Sequence, residues 1–311
     1  MNQMLKKKKM SLSRKFFIFC FIIVPTINFL VFYVYVNFDG ILMAFYTSKL
    51  GGEKEWGLQN FRAFFQELKH MDSGLGLAFV NTFKTFLINM IIFPWGIVVS
   101  YFLYKKIPFY KGFRLLFFLP SIINGIITVV FYRNLVSPDP AGPLALLTQK
   151  INGLSEPPDL LGDPRYANIF VWVHLLWLSF PGDMIIWGGA FARIPDSVIE
   201  SARLDGAKWT TELTRIILPM IWPTFALKMI IFISAVFGSS GAVFLLTGGK
   251  ESTKTITFSV WQYINILNTK DPTSNVYNYI SAVGIVVTLA SMLLVVLGKV
   301  IENKCFKDVD Y

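Results

Sequence analysis

The sequence predicts an all-α, polytopic membrane protein with six transmembrane helices, because it is strongly apolar and its apolar residues form long runs. Of its 311 residues, 54% are hydrophobic and 15% are charged, whereas soluble domains carry roughly 25% charged residues. A helix that spans a bilayer needs about 20 mostly apolar residues. Six stretches meet this requirement: residues 16–36, 85–104, 113–132, 168–190, 216–246 and 279–298.

The first apolar stretch follows a basic segment, which is also how a secretory signal peptide begins. Its apolar run is longer than that of a signal peptide, and no small-x-small cleavage pattern follows it. We therefore expect residues 1–15 to be a cytoplasmic basic N-terminus, 16–36 a retained first span and 37–76 an extracytoplasmic loop.

The distribution of basic residues predicts the orientation, because Lys and Arg are in excess in short cytoplasmic loops. With a cytoplasmic N-terminus, 17 of the 29 Lys and Arg residues fall inside and 11 fall outside, on longer loops. This arrangement leaves residues 301–311 as a cytoplasmic tail. The net charge of +10 is then a topology signal, and attraction to anionic lipid explains it better than nucleic acid does.

The loops differ in what they predict. The long outer loops are residues 37–84, 133–167 and 248–278, and the second is rich in Pro and Gly, which favours irregular structure over helix. The fifth span is long, and Pro219 and Pro223 near its start predict a kink. The inner loop 191–215 carries the most specific pattern in the chain.

Local chemistry predicts two short helices in this inner loop. Ser197 and Glu200 have the spacing of a capping box, which would start a helix at about Val198. Gly206 follows about two turns later, where a helix end favours left-handed backbone geometry. A second helical stretch then leads to Pro219. The apolar side of the first helix consists of Val198, Ile199, Ala202 and Leu204, and such a helix fits a groove on another protein.

The residues of this loop resemble the EAA loop of ABC importer permeases: Glu-Ala-Ala, then Gly, then Ile-x-Leu-Pro. The corresponding residues are Glu200, Ser201, Ala202, Asp205, Gly206, Ala207, Ile216, Leu218 and Pro219, with Ser201 in place of one alanine. The chain thus resembles the MalF-like, EAA-loop type I permeases of the binding-protein-dependent sugar and oligosaccharide class. Residues 57–61 and 81–82 are also similar to sugar-class members.

The resemblance implies a type I ABC importer permease fold, with a permease domain at 77–300 and a coupling loop at 194–215. It implies a second homologous permease, two cytoplasmic ATPase subunits, an extracytoplasmic solute-binding protein and a place in the bacterial cytoplasmic membrane, among lipid. Within the loop, Glu200 would hold the coupling helix, Ala202 would seat it, Gly206 would form the corner and Pro219 would set the angle of the fifth span.

We expect no catalytic site, metal site or cofactor in this chain, and no nucleic acid partner. The sequence contains no Gly-x4-Gly-Lys-Ser/Thr phosphate loop. ATP and Mg would therefore belong to the partner ATPase subunits, and the chain would be a transport subunit and not an enzyme.

Polar and aromatic residues within the predicted spans are candidates for the cargo pathway. Lys228 lies about 12 residues, or roughly 18 Å, into the fifth span, where a charge costs roughly 2.5–3.5 kcal/mol. It is a cargo or gate contact, half of a structural ion pair, or the donor of a hydrogen bond to a carbonyl of a neighbouring helix. Three tryptophans would stack on sugar rings or mark the bilayer interface. The further candidates are Asn89, Asn124, Ser234, Trp172, Trp177 and Trp187.

Other functions remain as alternatives at this stage. The same machine with another cargo, such as glycerol phosphate, an amino acid or an oxyanion, is disfavoured by the sugar-class run 205–207. An ATP-independent secondary transporter or channel would carry functional charges inside its spans, and we assign only Lys228 there. A membrane enzyme is disfavoured because no paired carboxylates, nucleophile with base or metal set occur at membrane depth.

Overall fold

Helices make up most of the chain in the computed structural model, which confirms the predicted all-α class. The structure describes residues 12–49, 53–238, 242–249, 253–269 and 274–305. The predicted lysine run at 6–9, residues 239–241 of the fifth stretch and the tail residues 306–311 lie outside these described residues.

Helices, short strands and two π-helical segments follow one another along the chain. In order they are α1 (Leu12–Asn28), a first π-helical segment (Phe29–Tyr35), α2 (Val36–Met43), β1 (Tyr46–Ser48), β2 (Lys54–Trp56), α3 (Gln59–Leu68), α4 (Gly74–Tyr104), α5 (Tyr110–Ile122), α6 (Gly125–Val136), α7 (Pro143–Asn152), α8 (Ala167–Phe191), α9 (Asp196–Leu204), α10 (Trp209–Thr211), a second π-helical segment (Glu212–Ile217), α11 (Leu218–Met220), α12 (Trp222–Ser234), α13 (Val243–Thr247), α14 (Phe258–Asn268) and α15 (Val276–Cys305).

Among the described residues, six candidate membrane spans are present if each of two bent helix pairs counts as one. The four long spans are Phe16–Met43, Gly74–Tyr104, Ala167–Phe191 and Val276–Val300. The bent pairs are Tyr110–Ile122 with Gly125–Val136, at 112°, and Trp209–Met220 with Trp222–Ser234, at 79°. The predicted count of six and the fourth predicted span, 168–190, agree closely with the structure.

The third predicted span is wrong as a single helix, whereas the break in the fifth agrees with the kink predicted from its prolines. The third, 113–132, breaks where Ile123 and Asn124 leave the helical region and the Asn124 side chain accepts a hydrogen bond of 2.9 Å from the backbone N–H of Ile126. The fifth, 216–246, breaks at Ile221 and its main helix ends at Ser234. Local capping and turn geometry therefore override the apolar pattern in both places.

Two predicted boundaries also shift. The first span continues to Met43 instead of ending at residue 36. The second span begins at Gly74 instead of 85, because the Ser73 hydroxyl caps α4 by accepting a 3.1 Å hydrogen bond from the backbone N–H of Gly76.

The second outer loop contains a helix, so the prediction that it is irregular was wrong. Helix α7 begins with Pro143 at its first position, where the missing N–H of proline costs nothing. It ends at Gly153, whose φ of 62° is left-handed. The Gly-Pro pair at 142–143 that favoured a loop therefore marks a helix start.

The chain divides into two compact units, Met1–Phe65 with Thr269–Val286 and Gln66–Asn268 with Val287–Tyr311. In the first, buried asparagine side chains hold the segment after α2. The Asn60 amide donates to the backbone carbonyls of Ala44 and Tyr46 at 3.1 and 3.0 Å. The Asn278 amide donates to those of Met43 and Tyr46 at 3.0 and 2.9 Å.

In the second unit, two neighbouring residues of α4 hold the segment that precedes α14. The Asn81 amide donates to the carbonyls of Lys254 and Ile256 at 2.6 and 3.0 Å. The Thr82 hydroxyl accepts a 2.8 Å hydrogen bond from the backbone N–H of Phe258. The Asn-Thr pair singled out in the sequence therefore has a structural role.

Asn81→Ala is expected to destabilise the second unit by about 1–3 kcal/mol, because it removes the Asn81 donor from the buried carbonyl of Ile256. The carbonyl of Lys254 still accepts a hydrogen bond from the Asn168 amide. The measurement is the thermal unfolding of purified protein in detergent, with the exposed Asn152 as a matched Asn→Ala control. Equal stability of the two variants would contradict this role for Asn81.

Candidate functional site

The first helix of the inner loop, α9, starts earlier than the sequence predicts. It begins at Asp196, directly after Pro195, whose ψ of 134° is extended, and no side chain caps its first turn. The predicted capping box of Ser197 with Glu200 is therefore wrong. Ser197 lies inside the first turn, where its carbonyl accepts a 2.8 Å hydrogen bond from the Ser201 hydroxyl.

Helix α9 has one buried face and one exposed face. Ile199 and Ala202 are buried, at 5% and 6% exposure, whereas Glu200 is exposed. Ala202 faces this chain's own interior and is not part of the surface open to a partner. Leu204, the last residue of α9, is 89% exposed. The surface that a partner can reach is therefore the C-terminal end of this helix.

Gly206 forms the corner of the loop, as the sequence predicts. Its φ is 74°, and its N–H donates to the carbonyl of Arg203 at 3.0 Å while the N–H of Ala207 donates to that of Ala202, also at 3.0 Å. These two hydrogen bonds are those of a Schellman motif. A Cβ at Gly206 would meet nothing within 4 Å, so only the backbone geometry restricts this position.

After the corner the chain turns back as α10, the second π-helical segment and α11. Pro219 has no N–H for a helical hydrogen bond, and the helix breaks two residues later at Ile221, which has φ −94° and ψ 7°. Pro219 is exposed, while Ile216 and Leu218 are half-buried. The matched Ile-x-Leu-Pro residues thus lie at the bend that leads into α12.

A buried ion pair fixes this second half of the loop. The ammonium of Lys105, just after α4, donates to both carboxylate oxygens of Glu212 at 2.5 and 2.6 Å. The Glu212 side chain is 3% exposed. Sequence analysis missed this pair, because the two residues are 107 positions apart and neither stands out in its own segment.

An apolar cluster continues from the loop into the helical bundle. It includes Ile199 of α9, Leu213 and Ile217 of the second π-helical segment, and residues of α4 and α8. The residues contributed by α4 and α8 are Phe93, Ile97, Tyr101, Trp187, Ala190 and Phe191. The inner loop is therefore packed onto the same core as the spans.

Lys228 of α12 forms an ion pair with Asp183 of α8, so the structure places it in the ion-pair alternative. Its ammonium also lies 4.9 Å from the centre of the Trp187 ring and 5.5 Å from that of Phe93. The assignment of Lys228 as the only ionisable residue within a span was wrong, since Asp183 lies within the predicted span 168–190. Two opposite charges on the helices that flank the inner loop were the signal that could have revealed the pair.

The other cargo candidates are scattered, and several have local structural roles. Trp187 is fully buried, and Asn124 caps α6. The Trp172 indole N–H donates to the Thr85 hydroxyl at 3.1 Å, and the Ser234 hydroxyl donates to the Ile231 carbonyl at 2.7 Å. Asn89 and Trp177 are half-buried. Of this set, the described contacts bring together only Lys228 and Trp187.

A cavity of about 730 Å³ lies beside α6 and α13, at the end of the second unit that carries residues of the predicted outer loops. Its polar lining residues are Arg133, Asn134, Ser137, Asp159, Thr247 and Thr253. Across the described residues, no three His, Cys, Asp or Glu side chains are close enough to hold a metal ion.

Residues 92–306 match the family described as the binding-protein-dependent transport system inner membrane component. The chain belongs to this family. It is 24% identical over 294 residues to the multiple sugar-binding transport system permease protein MsmF of Streptococcus mutans, a match that covers 93% of this chain and 97% of MsmF. It is 31% identical over 137 residues to the maltose/maltodextrin permease protein MalF of Vibrio parahaemolyticus, which covers 44% of this chain and 26% of MalF.

Solved structures show the same fold for this family member. A chain of a bacterial ABC transporter involved in the import of the acidic polysaccharide alginate superposes with a TM-score of 0.79 at 20% identity, covering 95% of this chain and 98% of that one. A chain of the alginate transporter in complex with its alginate pentasaccharide-bound periplasmic protein gives a TM-score of 0.77 at 21% identity, covering 95% and 97%. The predicted type I ABC importer permease fold is confirmed.

Gly206→Leu is expected to weaken the corner after α9, because a left-handed conformation costs a residue with a Cβ roughly 1–2 kcal/mol. Gly206→Asn is the matched control, since Asn tolerates this conformation better. Hydrogen exchange of the Ala207 amide should become roughly 5- to 30-fold faster in the Leu variant, if this strain opens the motif. Equal protection in both variants would contradict the strain argument.

Proposed function

We propose that this family member is the transmembrane permease subunit of an ATP-driven ABC importer and forms half of the pathway for a sugar or oligosaccharide. The observation that carries the proposal is the coupling loop: a short helix anchored on the bundle core, closed by Gly206 and presenting Leu204 outward. Leu204 is 89% exposed, so this end of the helix is open to a partner protein.

The proposed partners are a second homologous permease, two cytoplasmic ATPase subunits and an extracytoplasmic solute-binding protein. ATP and Mg would bind in the ATPase subunits, because this sequence has no phosphate loop of its own. Closure of the ATPase dimer on ATP would move the coupling helices together and open the pathway outward. Hydrolysis would then return it to the inward-facing state.

The proposed orientation has both termini in the cytoplasm. It is supported by the excess of Lys and Arg in the segments that contain α9 and the 105–114 loop, and it puts the coupling loop on the side of the ATPase. The outer cavity then faces the binding protein. Its hydroxyl, amide and charged groups suit a cargo rich in hydroxyl groups, because each can donate or accept hydrogen bonds.

The sugar cargo is supported by the names of the relatives. Besides MsmF and MalF, the galactooligosaccharides permease protein GanP of Bacillus subtilis is 26% identical over 145 residues, covering 47% of this chain and 34% of GanP. These three proteins are named for sugars or oligosaccharides of different lengths. A binding screen on the partner solute-binding protein, with sugars of graded length, would identify the cargo.

Leu204→Glu and Glu200→Lys are expected to reduce recovery of the ATPase subunit when this chain is purified in mild detergent, because both change the exposed surface of α9. Mass spectrometry of the purified complex is the measurement. Ile151→Glu is the matched control: Ile151 is 72% exposed, but it lies on α7, in the predicted outer loop. Full recovery of the ATPase with both α9 variants would contradict the coupling assignment.

A further inference from the structure

The two ion pairs of the second unit that are mostly shielded from solvent lie at the two ends of the apolar cluster that supports the coupling loop. Lys105 and Glu212, with side chains 17% and 3% exposed, lie at the loop end. Lys228 and Asp183, 19% and 11% exposed, lie farther along the spans. Among the described residues, the other two ion pairs each have a side chain more than half exposed.

The Asp183–Lys228 pair closes a long segment of chain. The two residues are 45 positions apart, and the whole coupling loop lies between them. Asp183 lies eight residues before the end of α8, or about 12 Å along the helix axis at 1.5 Å per residue. Helix α12, which carries Lys228, starts shortly after the loop. The pair therefore joins the helix that enters the loop to the helix that leaves it.

The surroundings of the pair hold both charged groups in place. Trp187 and Phe93 lie 4.9 and 5.5 Å from the Lys228 ammonium, as ring faces that attract a cation. On the other side, a Cβ on Gly96 of α4 would collide with the Asp183 carboxylate. Gly96 therefore provides the space that the carboxylate occupies, and three helices meet at this point.

A pair in such surroundings resists separation. Opening it would leave two charges in a largely apolar environment, where the loss of a partner is far more costly than at a solvent-exposed site. Little of either side chain is open to a passing cargo, which argues against a direct cargo contact. The same cluster that contains Phe93 and Trp187 reaches Ile199 of α9, so packed side chains connect the pair to the coupling helix.

We propose that Asp183 and Lys228 are positioning residues that make α8, the coupling loop and α12 move as one body during transport. In this way a displacement of α9 by the ATPase reaches the spans instead of being absorbed at the bend near Ile221. The Lys105–Glu212 pair holds the loop end of the same body against α4. This inference rests on the proposed function, because it assigns a role within ATP-driven transport.

The experiment compares ATP hydrolysis with sugar uptake in the same reconstituted complex. Asp183→Asn and Lys228→Met each remove one charge, and the double variant D183L/K228M removes both while leaving no unpaired charge. The charge reversal D183K/K228D keeps a pair. Gly96→Ala keeps both charges and displaces the carboxylate. Uptake and hydrolysis are measured per assembled complex, so that a loss of folded protein does not change the ratio.

The proposal predicts that D183L/K228M assembles but hydrolyses more ATP per sugar transported, by roughly 2- to 30-fold, the range expected for residues that carry coupling between sites. Gly96→Ala should also raise the ratio of ATP hydrolysed to sugar transported. The ratio of D183K/K228D should be closer to the wild-type value than that of D183L/K228M. A wild-type ratio in D183L/K228M would overturn the proposal, because the pair would then only neutralise buried charge.

Asp163→Asn is the matched control. Asp163 accepts hydrogen bonds from the exposed Arg165 in the second outer loop, and these lower the pKa of Asp163 below its ordinary value. Loss of this exposed pair should leave the ATP-to-sugar ratio unchanged. A raised ratio in Asp163→Asn would contradict the claim that the effect is specific to the Asp183–Lys228 pair. Failure of the wild-type complex to couple uptake to ATP would instead overturn the proposed function itself.

Discussion

An ammonium group deep in an apolar bundle needs a counter-charge, and Lys228 finds it in Asp183. This requirement constrains the rest of the second unit, because it fixes the distance between α8 and α12 and needs a glycine on α4 to make room for the carboxylate. The aromatic rings of Phe93 and Trp187 complete the surroundings. The helices that flank the coupling loop are therefore set by chemistry within the spans, and not by the loop alone.

The proposed coupling role makes two demands on the inner loop that usually conflict. A helix that transmits motion has to be fixed to its own chain, and a helix that binds a partner has to be exposed. Helix α9 meets both because its faces are divided: Ile199 and Ala202 are buried against this chain, while Glu200 and Leu204 are exposed. The Schellman motif at Gly206 then ends the helix at its exposed tip, and Glu212 anchors the return through Lys105.

Features that depend on local pattern could be predicted from the sequence. The six apolar stretches, the left-handed corner at Gly206 and the family resemblance carried by residues 200–219 all follow from composition or short-range spacing. Features that depend on distant partners could not be predicted. The Lys105–Glu212 pair links residues 107 positions apart. Asp183 is different: as a charge within a predicted span it could have been paired with Lys228 from the sequence, but only the structure brings the two together.

Other errors arose where one local signal competed with another. The spacing of Ser197 and Glu200 fits a capping box, but Pro195 already provides the extended residue that precedes a helix, so α9 begins at Asp196. Pro143 indicates both a loop and a helix start, and the structure has the latter. The apolar run predicted the third span as a single helix, although the cap at Asn124 breaks it.

The most direct test of the account is uptake by proteoliposomes that contain this chain with the subunits that co-purify with it. With its binding protein and a sugar outside, the account predicts uptake that requires internal ATP and is unaffected by collapse of ion gradients. Uptake that proceeds without ATP and follows an imposed ion gradient would contradict it.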